Sequence, residues 1–272
     1  MQVVVIGAGL LGLSTAYALK QDGHSVRVVD SSGGPALKTS FANAGMLSPS
    51  LTDPWNAPGI LWKMLRWVGR EEAPFLLRPH VLPSLLQWGT RFFWQSRRQA
   101  FLDNWTANLE LGLYSMRVQE EWLQNHDFHF EAGRSGILKI FRDEAGLEEG
   151  LMRLDFLAQH QIDVRRLDMH EVVELEPSLE ATAPDLAGAI LHSLDGHGDA
   201  HLFCCEMERA LLQSGVTFDY NTRGLAFEKE GKRIRALKTG AGSIEAEAFV
   251  LAAGGHSVEL GQSVGLRLPI RP

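Results

Sequence analysis

The sequence predicts an α/β fold in which a parallel-sheet domain is interrupted by an inserted α+β domain. Three observations predict this fold. The first thirty residues follow the order strand, glycine turn, helix, strand, acid. The middle of the chain, 53–194, mixes helical patterns with short strands that look antiparallel. Buried strand patterns typical of the first domain return after residue 214.

A βαβ unit opens the chain. Residues 3–6 form a continuous apolar run, which is typical of a parallel strand that is buried on both faces. The pattern Gly7-x-Gly9-x-x-Gly12 follows directly, and a helix is predicted over residues 14–20. A second strand ends at Asp30, at the distance from the glycines that dinucleotide-binding units show.

The glycine spacing has a chemical reason. Gly7 permits a tight turn, Gly9 lets a pyrophosphate approach the backbone, and Gly12 lets the helix pack closely on the sheet. The start of the helix offers free N–H groups and about half a positive charge. The carboxylate after the second strand can accept hydrogen bonds from ribose hydroxyls. We therefore predict that the ADP half of a dinucleotide binds Gly7, Ala8, Gly9, Leu10, Leu11, Gly12 and Asp30.

The uncharged stretch 3–19 could also be read as a membrane span, since its length is near the lower limit for crossing a bilayer. Glycines at the spacing of a nucleotide-binding turn, together with Ser14, Thr15 and Tyr17, favour the folded βαβ unit instead.

The loop after the second strand, 31–49, is rich in small and hydroxyl residues. Thr39, Ser40 and Asn43 can donate hydrogen bonds to phosphate and ribitol-type oxygens. Ala44 and Gly45 would let the backbone approach a flat ring. A mobile surface loop remains the alternative, because any loop contains such residues.

Residues 51–130 contain all seven tryptophans. Helices are predicted over 59–69, 81–97 and 104–124. Bulky aromatic residues mixed with basic ones could form a membrane-surface patch. We favour the core of a helical substrate domain, because Trp and Phe at helical spacing usually pack inside.

The middle of the chain continues with elements of both kinds. Strands are predicted around a glycine-containing turn in 128–141, followed by a helix over 144–160 and strands at 164–167 and 186–192. A polar turn, 195–201, then leads into a helix over 202–214, with Asp199 as its N-cap. His197 and His201 are four residues apart, but His197 precedes the helix, so no metal site is predicted.

The last part of the chain returns to the first domain. A strand over 215–222 resumes the parallel sheet, and a three-stranded meander is predicted over 226–247. The apolar strand that begins at Ala248 ends in small residues, as a strand beneath a dinucleotide requires, and no closing helix is predicted. The predicted domains are 1–52 with 195–264 for the cofactor, 53–194 for the substrate, and 265–272 as the start of re-entry into the substrate domain.

Composition excludes some functions. The chain has 272 residues and a net charge of −7, which argues against nucleic-acid binding. The adjacent pair Cys204 and Cys205 provides no disulfide framework, and we expect plain buried or half-buried thiols. A cytoplasmic location is expected, with peripheral contact at the inner membrane as a further option.

Taken in order, the motifs GAGLLG with Asp30, TSFANAGMLSP, GRSGILKIF, GHGDAHLF and FVLAAGGHS resemble the FAD-dependent D-amino-acid oxidase-like family over essentially the whole chain. The resemblance implies a glutathione-reductase-type, Rossmann-like FAD-binding domain with an inserted substrate domain. It also implies that Gly224 presents its backbone to the adenine. By the same resemblance, the remaining FAD-binding residues are Ser31, Thr39, Ser40, Asn43, Ala44, Gly45, Met46, Ala253 and Gly254.

The resemblance also implies a reaction. A D-amino acid would be oxidised at Cα, with hydride passing to FAD and then electrons to a quinone or carrier, leaving a 2-oxo acid and ammonia. Because relatives are considerably longer, a C-terminally truncated chain or a partner subunit is expected, and no catalytic residue is assigned. Open alternatives are a non-catalytic flavin-binding subunit, glycine or sarcosine oxidase, and hydroxyproline dehydrogenase. An NAD-dependent dehydrogenase is disfavoured, since the ANAG loop would have no role.

Overall fold

The computed structural model describes residues 1–69, 71 and 82–270. Residue 81, the first of one predicted helix, and residues 271–272 of the predicted re-entry segment lie outside the described residues. The strands are β1 Gln2–Ile6, β2 Ser25–Val29, β3 Met46–Leu47, β4 Ile137–Phe141, β5 Val164–Leu167, β6 Gly188–His192, β7 Gly196–His197, β8 Thr217–Asp219, β9 Gly224–Glu230, β10 Arg233–Thr239, β11 Gly242–Glu245 and β12 Ala248–Leu251. The α-helices are α1 Leu10–Gln21, α2 Ile60–Trp67, α3 Leu82–Gln95, α4 Arg98–Asn125, α5 Glu144–Leu151, α6 Leu154–Gln159, α7 Met169–Leu175, α8 Ala200–Gln213 and α9 Ser257–Gln262.

The chain divides into two compact units. The first unit consists of Met1–Met46, Leu123–Gly133 and His197–Pro272, and the second of Leu47–Trp122 and Arg134–Gly196. The segment 123–133 groups with the first unit, although the sequence placed it within the inserted domain. The assignment of one unit to cofactor and the other to substrate stays a prediction.

The first unit is built on a parallel sheet in the order β12-β1-β2-β8. Central strand β1 pairs with β2 on one side and with β12 on the other, so that Val5 lies opposite Val28 and Val250. Residues 3–6 are buried, as the apolar run predicted for a strand covered on both faces. The predicted βαβ unit and the returning strands of the parallel sheet are confirmed.

The antiparallel meander β9-β10-β11 completes the first unit. Phe227 and Leu237 of this meander pack with Leu260 of α9 in one apolar cluster. The expectation that no helix follows β12 is wrong, because α9 is a six-residue helix, too short to show a helical period in the sequence.

The segment 128–133 is not the strand that its alternating pattern predicted. Its β-type pairing is an isolated bridge between Gly133 and His197. Phe128 and Phe130 are buried because both rings pack on Phe203 of α8, with centroids 5.9 and 5.1 Å away. Packing against a helix therefore produced an alternation that resembles a strand.

The second unit contains the antiparallel sheet β4-β6-β5 and helices α2 to α7. The helix predicted over 144–160 is two helices, α5 and α6, separated near Arg153. Helix α4 is longer than predicted, and α7 begins at a capping box formed by Asp168 and Glu171. The core of this unit includes Trp105, Leu109 and Leu157.

The tryptophans differ widely in burial. Trp105 is only 3% exposed and confirms the predicted helical core. The same interpretation is wrong for Trp55, Trp62, Trp88 and Trp94, which are 75%, 70%, 52% and 60% exposed. Helical spacing tells which side chains share a face, but it does not tell whether another element covers that face.

Candidate cofactor-binding site

The turn between β1 and α1 is shaped by glycines. Gly7 has φ +113°, and a Cβ there would collide with the carbonyl oxygen of Ala252, beside β12. A Cβ on Gly12 would overlap the carbonyl oxygen of Gly7. The strand can therefore turn into the helix only because both positions lack side chains.

The helix start that follows this turn can hold an anion. Gly9 is the N-cap residue of α1 and makes no side-chain cap, so the first N–H groups have no partner within the helix. The Leu10 N–H donates to the Ser40 hydroxyl oxygen at 3.2 Å. A Cβ on Gly9 would lie 3.1 Å from the same oxygen. Ser40 therefore lies directly in front of the glycine turn, and its role in cofactor binding stays a prediction.

The carboxylate of Asp30 is fixed beside the turn. One of its oxygens accepts from the Ala8 N–H at 2.7 Å, and the other accepts from the Ser32 N–H at 2.7 Å. Each carboxylate oxygen keeps a second lone pair with which it can accept a ligand hydroxyl. The group is thus held where the sequence predicted a ribose contact, and its orientation is set by the backbone.

The loop after β2 returns to the turn before it leaves the sheet. The Ala36 N–H donates to the Ala8 carbonyl at 2.9 Å, and Ala36 has a left-handed φ of +55°. Sequence analysis assigned no role to Ala36, although Gly-Gly-Pro directly before it is typical of a bend. Four residues later Ser40 reaches Leu10, so the segment 36–40 crosses the turn.

The far end of this loop is held by hydrogen bonds, one within the loop and one to Gly198. The Asn43 side-chain oxygen accepts from the Gly45 N–H at 2.8 Å, and the Gly45 carbonyl accepts from the Gly198 N–H at 2.8 Å. Thr39, Ala44 and Met46 lie along the same loop, with Met46 at the start of β3. Asn43 thus uses its carbonyl oxygen within the loop, while its amide donors could serve a ligand.

The remaining predicted residues lie at neighbouring strand ends. The Ala252 N–H donates to the Ile6 carbonyl at 2.9 Å, which places Ala253 and Gly254 just beyond β12, beside the turn. Gly224 lies at the start of β9, two residues after Thr222, whose N–H donates to the Asp30 carbonyl at 2.8 Å. Its role toward adenine stays a prediction.

These observations fit FAD at its ADP half. A pyrophosphate with its adenosine requires a turn without side chains, helix N–H groups that have no partner within the helix, and a fixed carboxylate at the next strand. Gly7 and Gly12, the start of α1, and Asp30 provide these parts. Among the described residues, no cluster of His, Cys, Asp and Glu is arranged to hold a metal ion. Within the same described ranges, no helix is long and apolar enough to cross a bilayer.

A second polar centre, missed by the sequence, lies in the second unit. The Ser50 hydroxyl lies 2.6 Å from His192 Nδ1 and 2.7 Å from Asp195 Oδ2, and all three side chains are buried. Burial, and next the Lys139 charge, lower the pKa of His192 to about 4, while burial raises the pKa of Asp195. No sequence signal linked Ser50 to residues more than 140 positions away.

This cluster is not a hydrolase triad. In such a triad the carboxylate orients the histidine, and the histidine removes the serine proton. Here the carboxylate of Asp195 accepts from Ser50 itself, and a His192 with a pKa of about 4 is a poor base near neutral pH. A cavity of about 20 Å³ adjoins the cluster and is lined by Ser50, Asp53, Trp105, Lys139, Arg153 and His192.

Comparison with known proteins identifies a family for the whole chain. The profile of the family "FAD dependent oxidoreductase" (DAO) matches residues 2–272. A D-amino acid dehydrogenase of Paramagnetospirillum magneticum is 39% identical over 275 residues, and one of Vibrio vulnificus is 34% identical over 272. The chain is covered completely in both cases but spans 65% of the length of either relative. Glycine oxidase from Bacillus cereus shares the fold, with a TM-score of 0.64 and 21% identity over 96% of this chain and 57% of that one.

Proposed function

The chain belongs to the FAD dependent oxidoreductase (DAO) family, and we propose that it binds FAD and serves the oxidation of D-amino acids to 2-oxo acids and ammonia. The observation that carries this proposal is the glycine turn, with Asp30 fixed beside it and Ser40 in front of it. Two relatives that cover the whole chain are named D-amino acid dehydrogenase, which supports the substrate class.

The residues of the first unit would act by binding and orientation. The N–H groups at the start of α1 would bind the pyrophosphate, together with the positive end of the helix dipole. Asp30 would accept from the adenosine ribose, and the loop through Ser40, Asn43 and Gly45 would lie at the flavin half. Bound FAD supplies the acceptor for the hydride that leaves the substrate Cα.

The substrate side of the reaction remains without an assigned residue. A cation must bind the substrate carboxylate, yet Arg134 of the second unit already pairs with Glu120, and Arg97 stacks on Trp94. We therefore assign no catalytic residue within the described part of the chain. We propose a quinone or an electron carrier as the acceptor, and a partner subunit as one source of the substrate-binding cation.

Two measurements test this function. Purified protein reconstituted with FAD should show a flavin absorption spectrum after desalting, whereas retention of NAD without flavin would contradict the proposal. Anaerobic addition of D-alanine then tests reduction, with glycine, sarcosine and hydroxyproline as competing substrates. Bleaching by one of those three alone would reassign the substrate. If none of the four substrates, D-alanine included, bleaches the flavin, the result would favour a non-catalytic flavin-binding subunit.

Gly9→Val is the sharpest test of where the cofactor binds. The new side chain would meet the Ser40 hydroxyl and fill the space in front of the helix start, so we expect loss of FAD binding. Gly240→Val is the matched control, because a Cβ at Gly240 meets no atom within 4 Å. Fluorescence titration with FAD measures both variants, and retained binding in Gly9→Val would refute this placement of the pyrophosphate.

We also propose peripheral contact with a membrane surface through the exposed aromatic residues of the second unit. Trp62 on α2, and Trp88 and Trp94 on α3, are exposed. Arg66 and Arg91 lie on the same two helices, and Arg97 follows the end of α3. Aromatic rings among basic residues favour an anionic lipid interface. Co-sedimentation with anionic vesicles should fall in Trp62→Ser/Trp94→Ser, and equal binding by wild type and variant would contradict the proposal.

A further inference from the structure

The segment 36–40 lies across the glycine turn, and its middle residue is a lysine. Ala36 is hydrogen-bonded to Ala8 at one end of the turn, and Ser40 is hydrogen-bonded to Leu10 at the other. Lys38 is two residues from each of these contacts. Its backbone is therefore held close to the turn, whatever its side chain does.

The ammonium group of Lys38 reaches strand ends on both sides of β1. Its Nζ lies 3.4 Å from the hydroxyl oxygen of Ser31, which follows β2. It also lies 3.4 Å from Nε2 of His256, which follows β12. Strands β2 and β12 are the two neighbours of β1 in the sheet, so the lysine side chain spans the end of the strand that leads into the turn.

With a pyrophosphate bound, the turn would carry an excess of negative charge, which a nearby cation would reduce. A pyrophosphate brings two negative charges, Asp30 adds a third, and the helix dipole returns only about half a positive charge. Residues 1–46 contain three basic side chains other than histidine, at Lys20, Arg27 and Lys38. Lys20 lies in the last turn of α1, and Arg27 pairs with Asp219 at 2.5 Å.

We propose that Lys38 is a cofactor-binding residue that contacts the FAD pyrophosphate. An ammonium group has three N–H donors, and Ser31 and His256 account for two, so one remains for a phosphate oxygen. The role of Lys38 is to hold the phosphates, since the charge lies on the ADP side of the site. The inference rests on the FAD binding proposed above.

Three variants of the 272-residue chain test the assignment. Lys38→Gln removes the charge, Lys38→Arg keeps it, and Lys232→Gln removes a charge from the remote β9–β10 turn as a matched control. Dissociation constants for FAD and for ADP are measured by fluorescence titration and calorimetry. We expect Lys38→Gln to weaken both ligands about five- to tenfold, the range of one partly exposed charge-assisted contact. Lys38→Arg and the control should stay within about twofold of wild type.

Salt provides a readout that a purely structural role would not change. The advantage of wild type over Lys38→Gln should shrink as ionic strength rises, because an exposed charge contact is screened. Equal affinities of wild type and Lys38→Gln would overturn the inference. If Lys38→Gln weakens FAD binding but leaves ADP binding unchanged, the inference is also overturned, because Lys38 would then contact the flavin half of the cofactor. If wild type binds neither FAD nor ADP, the proposed cofactor site fails as well.

Discussion

The two polar centres of this protein are built in opposite ways. The glycine turn of the first unit presents backbone N–H groups, and its partners Asp30 and Ser40 lie within about thirty positions of it. The cluster Ser50–His192–Asp195 of the second unit is made of side chains, is buried, and joins positions 142 and 145 apart. The turn presents N–H groups that have no partner within the helix, whereas the cluster satisfies its own polar groups.

The difference shows what each centre can tolerate. A turn made by backbone has no side chain to lose, so it fails when a side chain is added. A buried side-chain network fails when a partner is removed or when its charge state changes, because buried polar groups without partners are costly. Substitutions and pH changes aimed at one centre should therefore affect stability or cofactor binding differently from those aimed at the other.

Gly12→Ala should have the largest effect on stability. Its Cβ would overlap the Gly7 carbonyl oxygen, which is backbone and cannot move aside without opening the turn. We expect a loss of about 3 kcal/mol or more, at the upper end of overpacking costs, measured by urea denaturation. Gly240→Ala, where a Cβ meets nothing within 4 Å, is the control. An unchanged midpoint for Gly12→Ala would show that the turn can open cheaply.

The buried histidine should make stability depend on pH. The His192 pKa is lowered from 6.5 to about 4 by burial, with further lowering from Lys139 and some raising from Asp53. Between pH 6.5 and about 4, the imidazole is therefore protonated in the unfolded chain and neutral in the folded one. Its contribution is complete above pH 6.5 and is lost as pH falls toward 4, amounting to roughly 3 kcal/mol. The Asp195 pKa is raised, which offsets part of this loss at the acid end.

Denaturation at several pH values between 7.5 and 4.5 tests this expectation. Wild type should keep its stability from pH 7.5 to about 6.5 and lose it progressively below that. His192→Gln should show a shallower slope, even if it is less stable at every pH, because the titrating group is gone. Parallel curves for the two proteins would assign the acid sensitivity to other groups.

Trp105→Phe should have the smallest effect. Its indole N–H is buried and has no hydrogen-bond partner among the described residues, yet Trp105 lines the cavity of about 20 Å³. That volume holds about one water molecule, which could accept a hydrogen bond from the indole N–H. We expect a crystal structure to show a water bonded to the indole, and Trp105→Phe to lose about 1 kcal/mol. A dry cavity, with Trp105→Phe more stable than wild type, would contradict this.

Local sequence was sufficient for the parallel sheet and the glycine turn of the first unit. The apolar run of β1, the glycine spacing and Asp30 predicted the βαβ unit, and the small residues after β12 predicted its neighbour strand. These features act over a few residues, since turn geometry and strand burial are set by neighbouring side chains. The same reasoning failed for 128–133, where alternation came from packing on α8, and for the single helix expected over 144–160.

The sequence by itself determined that β1 turns into α1 through three positions without side chains, Gly7, Gly9 and Gly12, because this spacing can be read directly. Only the tertiary structure decided that Lys38 lies over that turn, that Ser50 meets His192 and Asp195, and that Trp62 and Trp94 are exposed. The physical reason is distance along the chain. Contacts between remote side chains, and the covering of a helix face, depend on how whole elements pack, which no local pattern encodes.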